Sequence, residues 1–444
     1  MKTNIRVLSA ALSLAVAALV SSCKEEAQVQ PEADGKVTAA AIIPVGTCTD
    51  NADGSPTNTL ISVNTTWTTG NTYILRGYVR VVSGATLTIQ PGVIIKGECE
   101  GTLIVERGSK IDARGTANSP IVFTSNKDNC SKAPGDWGGV IILGNAPNNK
   151  GTNVAIEGIQ FPAGTTFGFH GGTVATDNSG FFQYVRIEYP GGEISDGNEI
   201  NGLTLGSVGN GTVIDHVQVV YAQDDAFEWF GGTVNASYLY AYGASDDDFD
   251  TDLGYVGRVQ FAAGVKVSST EPTLGASNGF ESDNDGTGSG DLPQTNPRFA
   301  NVTLVGPCAD PDAAVFGQGL LLRRNTSLDL YSSVVLKWTK GITISSATPT
   351  LGSVSVFDGG TLTPNPITGV TASTGNGTYS PCPLACPAAP NLIPTTNTAG
   401  TIPAGLGFVS TTYRGAFSAV SSNNTNWNLG GTWLSFPCFG CGTI

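Results

Sequence analysis

Between residues 215 and 285 the chain carries 13 of its 36 acidic residues and only two bases, Arg258 and Lys266. One phrase recurs inside that window. Asp224-Asp-Ala-Phe-Glu228, Asp246-Asp-Asp-Phe-Asp250 and Ser277-Asn-Gly-Phe-Glu281 each set a carboxylate directly after a phenylalanine. If Phe227, Phe249 and Phe280 point into a core, then Glu228, Asp250 and Glu281 point away from it, because side chains alternate along a strand. On stacked strands they would lie about 4.8 Å apart. Like charges that close repel, so protons or a cation must compensate. Asp224, Asp225 and Asp246 belong to the same phrases. Asp248-x-Asp250-x-Asp252 adds carboxylates at alternate positions, as does Glu281-x-Asp283-x-Asp285-Gly286. The latter pattern is similar to the first half of a calcium loop. It starts with Glu and has Leu292 where the closing Glu belongs, which excludes a complete EF-hand. A calcium site built on strands is therefore expected, with a solvated acidic face or acids capped by backbone amides as the alternative.

Aromatic residues crowd the same window. Trp229, Tyr240, Tyr242 and Tyr255 would bind sugar rings if their faces were open, and would be packing if they lay in the core. Arg323 and Arg324 follow Leu320-Leu-Leu322 and could answer the acids. Only one of two neighbours can face outward on a strand, and Arg323 is the one expected to touch a ligand. Catalytic signatures are mostly missing. His170 and His216 lack metal-ligand spacing, and His216 in Ile214-Asp-His-Val217 reads as an exposed strand residue. No nucleophile elbow, phosphate loop or dinucleotide fingerprint appears, so no nucleotide partner is expected. Carboxylate pairs for glycoside hydrolysis abound, and nothing selects two of them.

The elements that position these residues follow from composition. The 444 residues include 58 Gly and 24 Pro and are only 13% charged, too few charges for long solvated helices. Thr, Val, Ile, Asn and Gly dominate, which is strand-and-turn material. Leu87-Thr-Ile89, Leu103-Ile-Val105, Ile121-Val-Phe123 and Val140-Ile-Ile142 recur at steps of 16, 18 and 19 residues. Units that short cannot bury their own apolar face and must stack, which predicts a parallel β-solenoid. Val185-Arg-Ile187, Val217-Gln-Val219, Leu239-Tyr-Ala241, Val302-Thr-Leu304 and Val334-Val-Leu336 read as further rungs. The solenoid is expected over 59–345, with 346–444 as a loop-rich closure over its end.

The N-terminus reads as an address. Lys2 and Arg6 precede an apolar run from Val7 to Val20, the pattern of a secretory signal over 1–22 and too short for a membrane span. Leu19-Val-Ser-Ser-Cys23 resembles the bacterial lipobox, whose Cys is lipidated; ordinary cleavage beside a stray Cys is the alternative. Lys24-Glu-Glu26 resembles the acidic signal that sends lipoproteins of the Bacteroidota to the outer face of the outer membrane. Residues 23–58 read as a flexible tether. Removing 1–22 takes away two bases and no acid, leaving a net charge of −16. Such a surface repels phosphate backbones and excludes nucleic acid as a partner. The eight other cysteines suggest disulfides, although Cys382, Cys386, Cys438 and Cys441 could also form a four-sulfur zinc site.

Ser83-Gly-Ala-Thr-Leu-Thr-Ile-Gln-Pro-Gly-Val-Ile-Ile-Lys96, Trp137-Gly-Gly-Val-Ile-Ile-Leu-Gly144 and Asp224-Asp-Ala-Phe-Glu-Trp-Phe-Gly-Gly232 resemble a family of Bacteroidota surface and secreted proteins. So does Tyr413-Arg-Gly-Ala-Phe417 followed by Trp427 and Trp433, and the resemblance covers about residues 60–440. It implies an all-β, right-handed parallel β-helix as in pectate-lyase-like proteins, and leaves the chemistry to the residues. The expectation is a lipid-anchored outer-membrane protein that binds glycan without catalysis and holds calcium on its acidic flank. A calcium-assisted polysaccharide lyase or glycoside hydrolase is the alternative. In a lyase, calcium would offset a uronate charge and an arginine would abstract the proton.

Overall fold

A computed structural model describes residues 30–31, 37–38, 40–52, 54–160, 167–195, 198–267, 277–308, 316–375, 377–382, 389–420, 426–429 and 431–437. The chain divides into residues 1–40 and 41–444. In the first unit Gln30–Pro31 pairs antiparallel with Val37–Thr38. Cys23 lies outside the described residues.

From Ile42 onward the chain winds into a parallel β-helix, each turn visiting three sheets in order. In the central turns the first sheet stacks 185–188, 217–220, 239–242, 262–265 and 302–305. The second stacks 203–206, 227–230, 249–252, 281–282 and 318–323. The third stacks 180–183, 213–215, 235–237, 258–260 and 298–300. Alternation sets the inward face: in Thr86–Ile89, Leu87 and Ile89 are buried while the threonines are half-buried. The interior is one continuous apolar column from Ile61 to Ile367.

The register corrects the repeat. Phe227 pairs with Phe249 and Val217 with Leu239, both 22 positions apart. The triplets at Val185, Val217, Leu239 and Val302 do stack in the first sheet, with Ala262 between the last two. The earlier four do not share a column. Leu103 and Val140 lie in the second sheet, Ile121 in the first and Leu87 in the third. An apolar triplet marks any inward strand, whichever sheet it joins.

Strands passing from the third sheet into the first turn through one left-handed residue. Tyr184, His216, Tyr238, Phe261, Asn301 and Ser332 hold this corner with φ between 48° and 64°. A bulky side chain there costs about 1–3 kcal/mol. Ring stacking offsets it, with centroids 4.3 Å apart for Tyr184–His216, 4.3 Å for His216–Tyr238 and 5.1 Å for Tyr238–Phe261. His216 is therefore not an exposed strand residue. It is sandwiched between tyrosines and paired with Asp215 at 2.6 Å.

Both boundaries of the coil move outward. Ile42–Gly46, inside the segment read as a tether, pairs with Thr72–Arg76. Thr350–Gly352, Val354–Val356, Thr361–Thr363 and Val370–Ala372 extend it past 345. A lone first strand has no repeat to announce it, and three-residue strands disappear in Thr/Pro/Gly-rich sequence.

Nor does the C-terminal segment simply close the end. The described parts of 389–437 form a strap along the flank, reaching from Ser355 (2.7 Å from Arg414) to Ala117, whose carbonyl accepts from Thr432 N. Coil amide side chains hold it as a strand edge would. Gln218 exchanges two hydrogen bonds with Ser435 (2.8 and 2.7 Å), and Gln260 two with Val409 (both 2.8 Å). Asn301 donates to the carbonyls of Tyr413 and Gly415. Trp427, Trp433 and Phe436 cover the outward rings beneath.

Cys48–Cys99 and Cys308–Cys382 are disulfides, and Cys130 is also disulfide-bonded. The bond to Cys308 removes Cys382 from the four-sulfur zinc alternative. Cys386, Cys438 and Cys441 lie outside the described residues.

Gln260→Ala removes both bonds to Val409 and one to Asn301. It is expected to cost about 1–3 kcal/mol in denaturant unfolding and to speed proteolysis within 389–437. Unchanged proteolysis would mean the amide pairing does not hold the strap.

Candidate functional site

Phe227, Phe249 and Phe280 point into the coil, with centroids 5.6 and 6.1 Å apart. Facing the other way, Thr204, Glu228, Asp250, Glu281 and Leu321 form one register column. A second column precedes it on the turn into each strand. Asp225 Oδ1 accepts from Asp247 N at 2.7 Å, Asp247 Oδ1 from Asn278 N at 2.6 Å, and Asn278 Oδ1 from Gln318 N at 2.9 Å. Each side chain thus tethers the next turn of the coil.

The two columns converge. Asp224, Asp225 and Asp246, then Asp225, Glu228 and Asp250, then Asp247, Asp250 and Glu281 each bring one oxygen per residue within 4.8 Å of one another. Asp247 was absent from the acids singled out in the sequence, although it occupies the same repeat position as Asp225. Burial first, then neighbouring carboxylates, push Asp224, Asp225, Glu228, Asp247 and Asp250 well above the ordinary carboxylate range. Glu157 and Glu199, from inserted loops, add charge facing Asp224. Asn201 donates to Glu228, while Asp250 Oδ1 is buried without a hydrogen-bond partner. Such an orphan calls for a missing partner. The donors are all hard oxygens, which suits calcium.

The other candidates divide. Asp248 does not share a face with Asp250 and Asp252: it is fully buried beneath Gly264, 3.3 Å from the buried Lys266. Asp252 accepts from Leu253 N and is pushed up to about 7 by burial, outside the three groups. Glu281-x-Asp283-x-Asp285 does not converge on one point. Arg323 contacts both Glu281 and Asp283, while Arg324 reaches Asp283 at 2.7 Å. Both arginines can do so because the strand ends at Arg323 and Arg324 adopts φ 48°. Asp285 is held by Lys150 at 2.8 Å, by Ser289 and by Thr287, which outweigh desolvation and keep it below its ordinary range.

The rings are not an open stacking surface. Trp229, two positions after Phe227, points inward and stacks on Tyr255 at 5.5 Å. Tyr240 and Tyr242 face outward but lie under Phe436, at 5.3 and 5.2 Å. All four are buried. His170 is also buried, its Nδ1 2.8 Å from Ser207 Oγ, and burial together with the Arg107 charge pushes its imidazole down to about 3. Beside Arg323 and Arg324 opens a cavity of about 670 Å³ lined also by Thr287, Asn325, Ser346 and Thr348.

Residues 59–388 match the family described as "Pectate-lyase like beta helix domain". The chain belongs to that family. No curated protein matches the sequence. Among solved structures, the crystal structure of pectate lyase Pel9A aligns with 13% identity over 86% of this chain and 97% of the other, at a TM-score of 0.37.

Arg323→Met would leave Glu281 and Asp283 facing each other with only Arg324 nearby. The expected loss is about 2 kcal/mol at pH 8, less than for a fully buried pair because Arg323 is partly exposed. It should shrink at pH 5, since Glu281 is pushed up to about 7 and then carries a proton. Equal losses at both pH values would contradict the electrostatic account.

Proposed function

We propose that this protein is a non-catalytic, lipid-anchored surface module that binds glycan beside a calcium-loaded acidic flank. The observation that carries this reading is the convergence of the carboxylates of Asp224, Asp225, Glu228, Asp246, Asp247, Asp250 and Glu281 in three overlapping groups, with a buried oxygen of Asp250 left unpartnered. Calcium would neutralise the flank and offer open coordination positions to sugar hydroxyls. The neighbouring cavity, with hydroxyls, an amide and two guanidinium groups, suits a polar ligand. A pectate-lyase-like β-helix is compatible with carbohydrate, but one fold hosts many chemistries. Arg323 speaks against the lyase alternative. Burial opposes its charge, yet Glu281 and Asp283 outweigh burial and hold the guanidinium above its ordinary value. A guanidinium so held is a poor proton acceptor.

The carboxylates titrate higher in the folded chain than in the unfolded one. Without divalent ions their contribution is full below the unfolded values near 4 and lost as pH rises through the folded values, about 7 for Asp252 and Glu281. The melting temperature in chelator should therefore rise as pH falls from 8 to 5. At pH 8, calcium should restore stability by about 2.7 kcal/mol at a hundredfold excess over Kd. Asp250→Asn should abolish most of that gain. Sodium matching calcium at equal ionic strength would favour a solvated acidic face.

Retention of the protein on a polysaccharide panel is expected to require calcium and to generate no new reducing or unsaturated ends. New ends would move the reading to an enzyme. Labelling with a palmitate analogue should depend on Cys23, and protease added to intact cells should degrade the chain. Protection with lipidation intact would place it in the periplasm.

A further inference from the structure

We propose that Lys266 and Asp248 condense into an intramolecular isopeptide bond that staples two successive turns of the coil. Both side chains are fully buried, with Lys266 Nζ 3.3 Å from Asp248 Oδ1. Asp248 lies just before Phe249–Asp252 of one turn, and Lys266 just after Arg258–Val265 of the next. Neither oxygen of Asp248 has a hydrogen-bond partner, so the 3.3 Å approach is contact without hydrogen-bond geometry. Lys266 Nζ instead donates to the carbonyls of Ala244 and Asp246. Its hydrogen bonds thus go to the backbone while the nitrogen itself lies against the carboxyl. Gly264 makes room, since a Cβ there would sit 2.4 Å from Asp248 Oδ2.

The step balances without any co-reactant. The ammonium of Lys266 brings three N–H protons. Nitrogen bonds to Cγ of Asp248 and one Cγ–O bond breaks. The departing oxygen leaves as water with two of the protons, and the third stays on the amide nitrogen. Two forces favour condensation. Fixed proximity supplies an effective concentration of about 10⁵ M or more. Exclusion of water from a fully buried site opposes the reverse hydrolysis, and the product replaces a buried ion pair by a neutral amide. Asp248 belongs to none of the three carboxylate groups, so the inference stands apart from the calcium reading.

The test is the intact mass of the full-length purified protein, reduced and denatured, compared with the mass calculated from its measured N-terminus. The expected result is a deficit of one water, with a branched peptide containing both residues after digestion. Lys266→Met should restore the calculated mass and lower the melting temperature. If that variant fails to fold, the wild-type digest still decides. Linear peptides carrying unmodified Lys266 and Asp248, at full intact mass, would overturn the proposal.

Discussion

Parallel, in-register stacking turns every repeated residue into a column with a spacing of about 4.8 Å. That constraint governs the molecule. For Phe227, Phe249 and Phe280 it produces a stacked interior. For Glu228, Asp250 and Glu281, one residue further along, it produces the least comfortable arrangement charge can take. The phrase that builds the core is thus inseparable from the one that builds the acidic flank. The Asp225–Asp247–Asn278 ladder shows one way of relieving the cost, by giving each carboxylate a backbone N–H of the next turn. Arg323 and Arg324 relieve one end of the row, and Lys150 takes Asp285. The middle, around Asp250, has no such relief and is where a cation is proposed to sit.

The strap-bearing flank is organised by different chemistry. There the corner residues Tyr184, His216, Tyr238 and Phe261 stack at a left-handed bend. The strap is read by amide side chains rather than by a sheet edge. Gln218 and Gln260 each pair with one strap residue through both N–H and C=O. This covers apolar rings that would otherwise be an exposed aggregation surface. The acidic sheet and the cavity beside Arg323 are the polar faces at which a ligand is proposed to bind.

Architecture was legible in the sequence because three-residue apolar strands and turn residues repeat. The period was harder, since Leu87, Leu103, Ile121 and Val140 look alike although they belong to three different sheets. The acid column was legible from the recurrence of Phe followed by a carboxylate. What alternation could not supply was the fate of residues at strand ends. Asp248 precedes its strand and turns inward to Lys266, and Arg324 follows its strand and bends back to Asp283. Asp247 could have been found by aligning Asp224-Asp225 with Asp246-Asp247. The rings misled for a different reason. Tyr240 and Tyr242 do face outward, where Phe436, far along the chain, packs on both rings and Trp427 on Tyr240.

The claim that the middle of the acidic row is completed by calcium is tested most directly by calorimetric titration. Chelator-treated, full-length protein would be titrated with calcium chloride at pH 7.5 and low ionic strength. The account predicts saturable binding of at least one ion, with release of protons from the crowded carboxylates visible as a dependence of the heat on buffer ionisation. Heat indistinguishable from dilution, with no proton release, would contradict it.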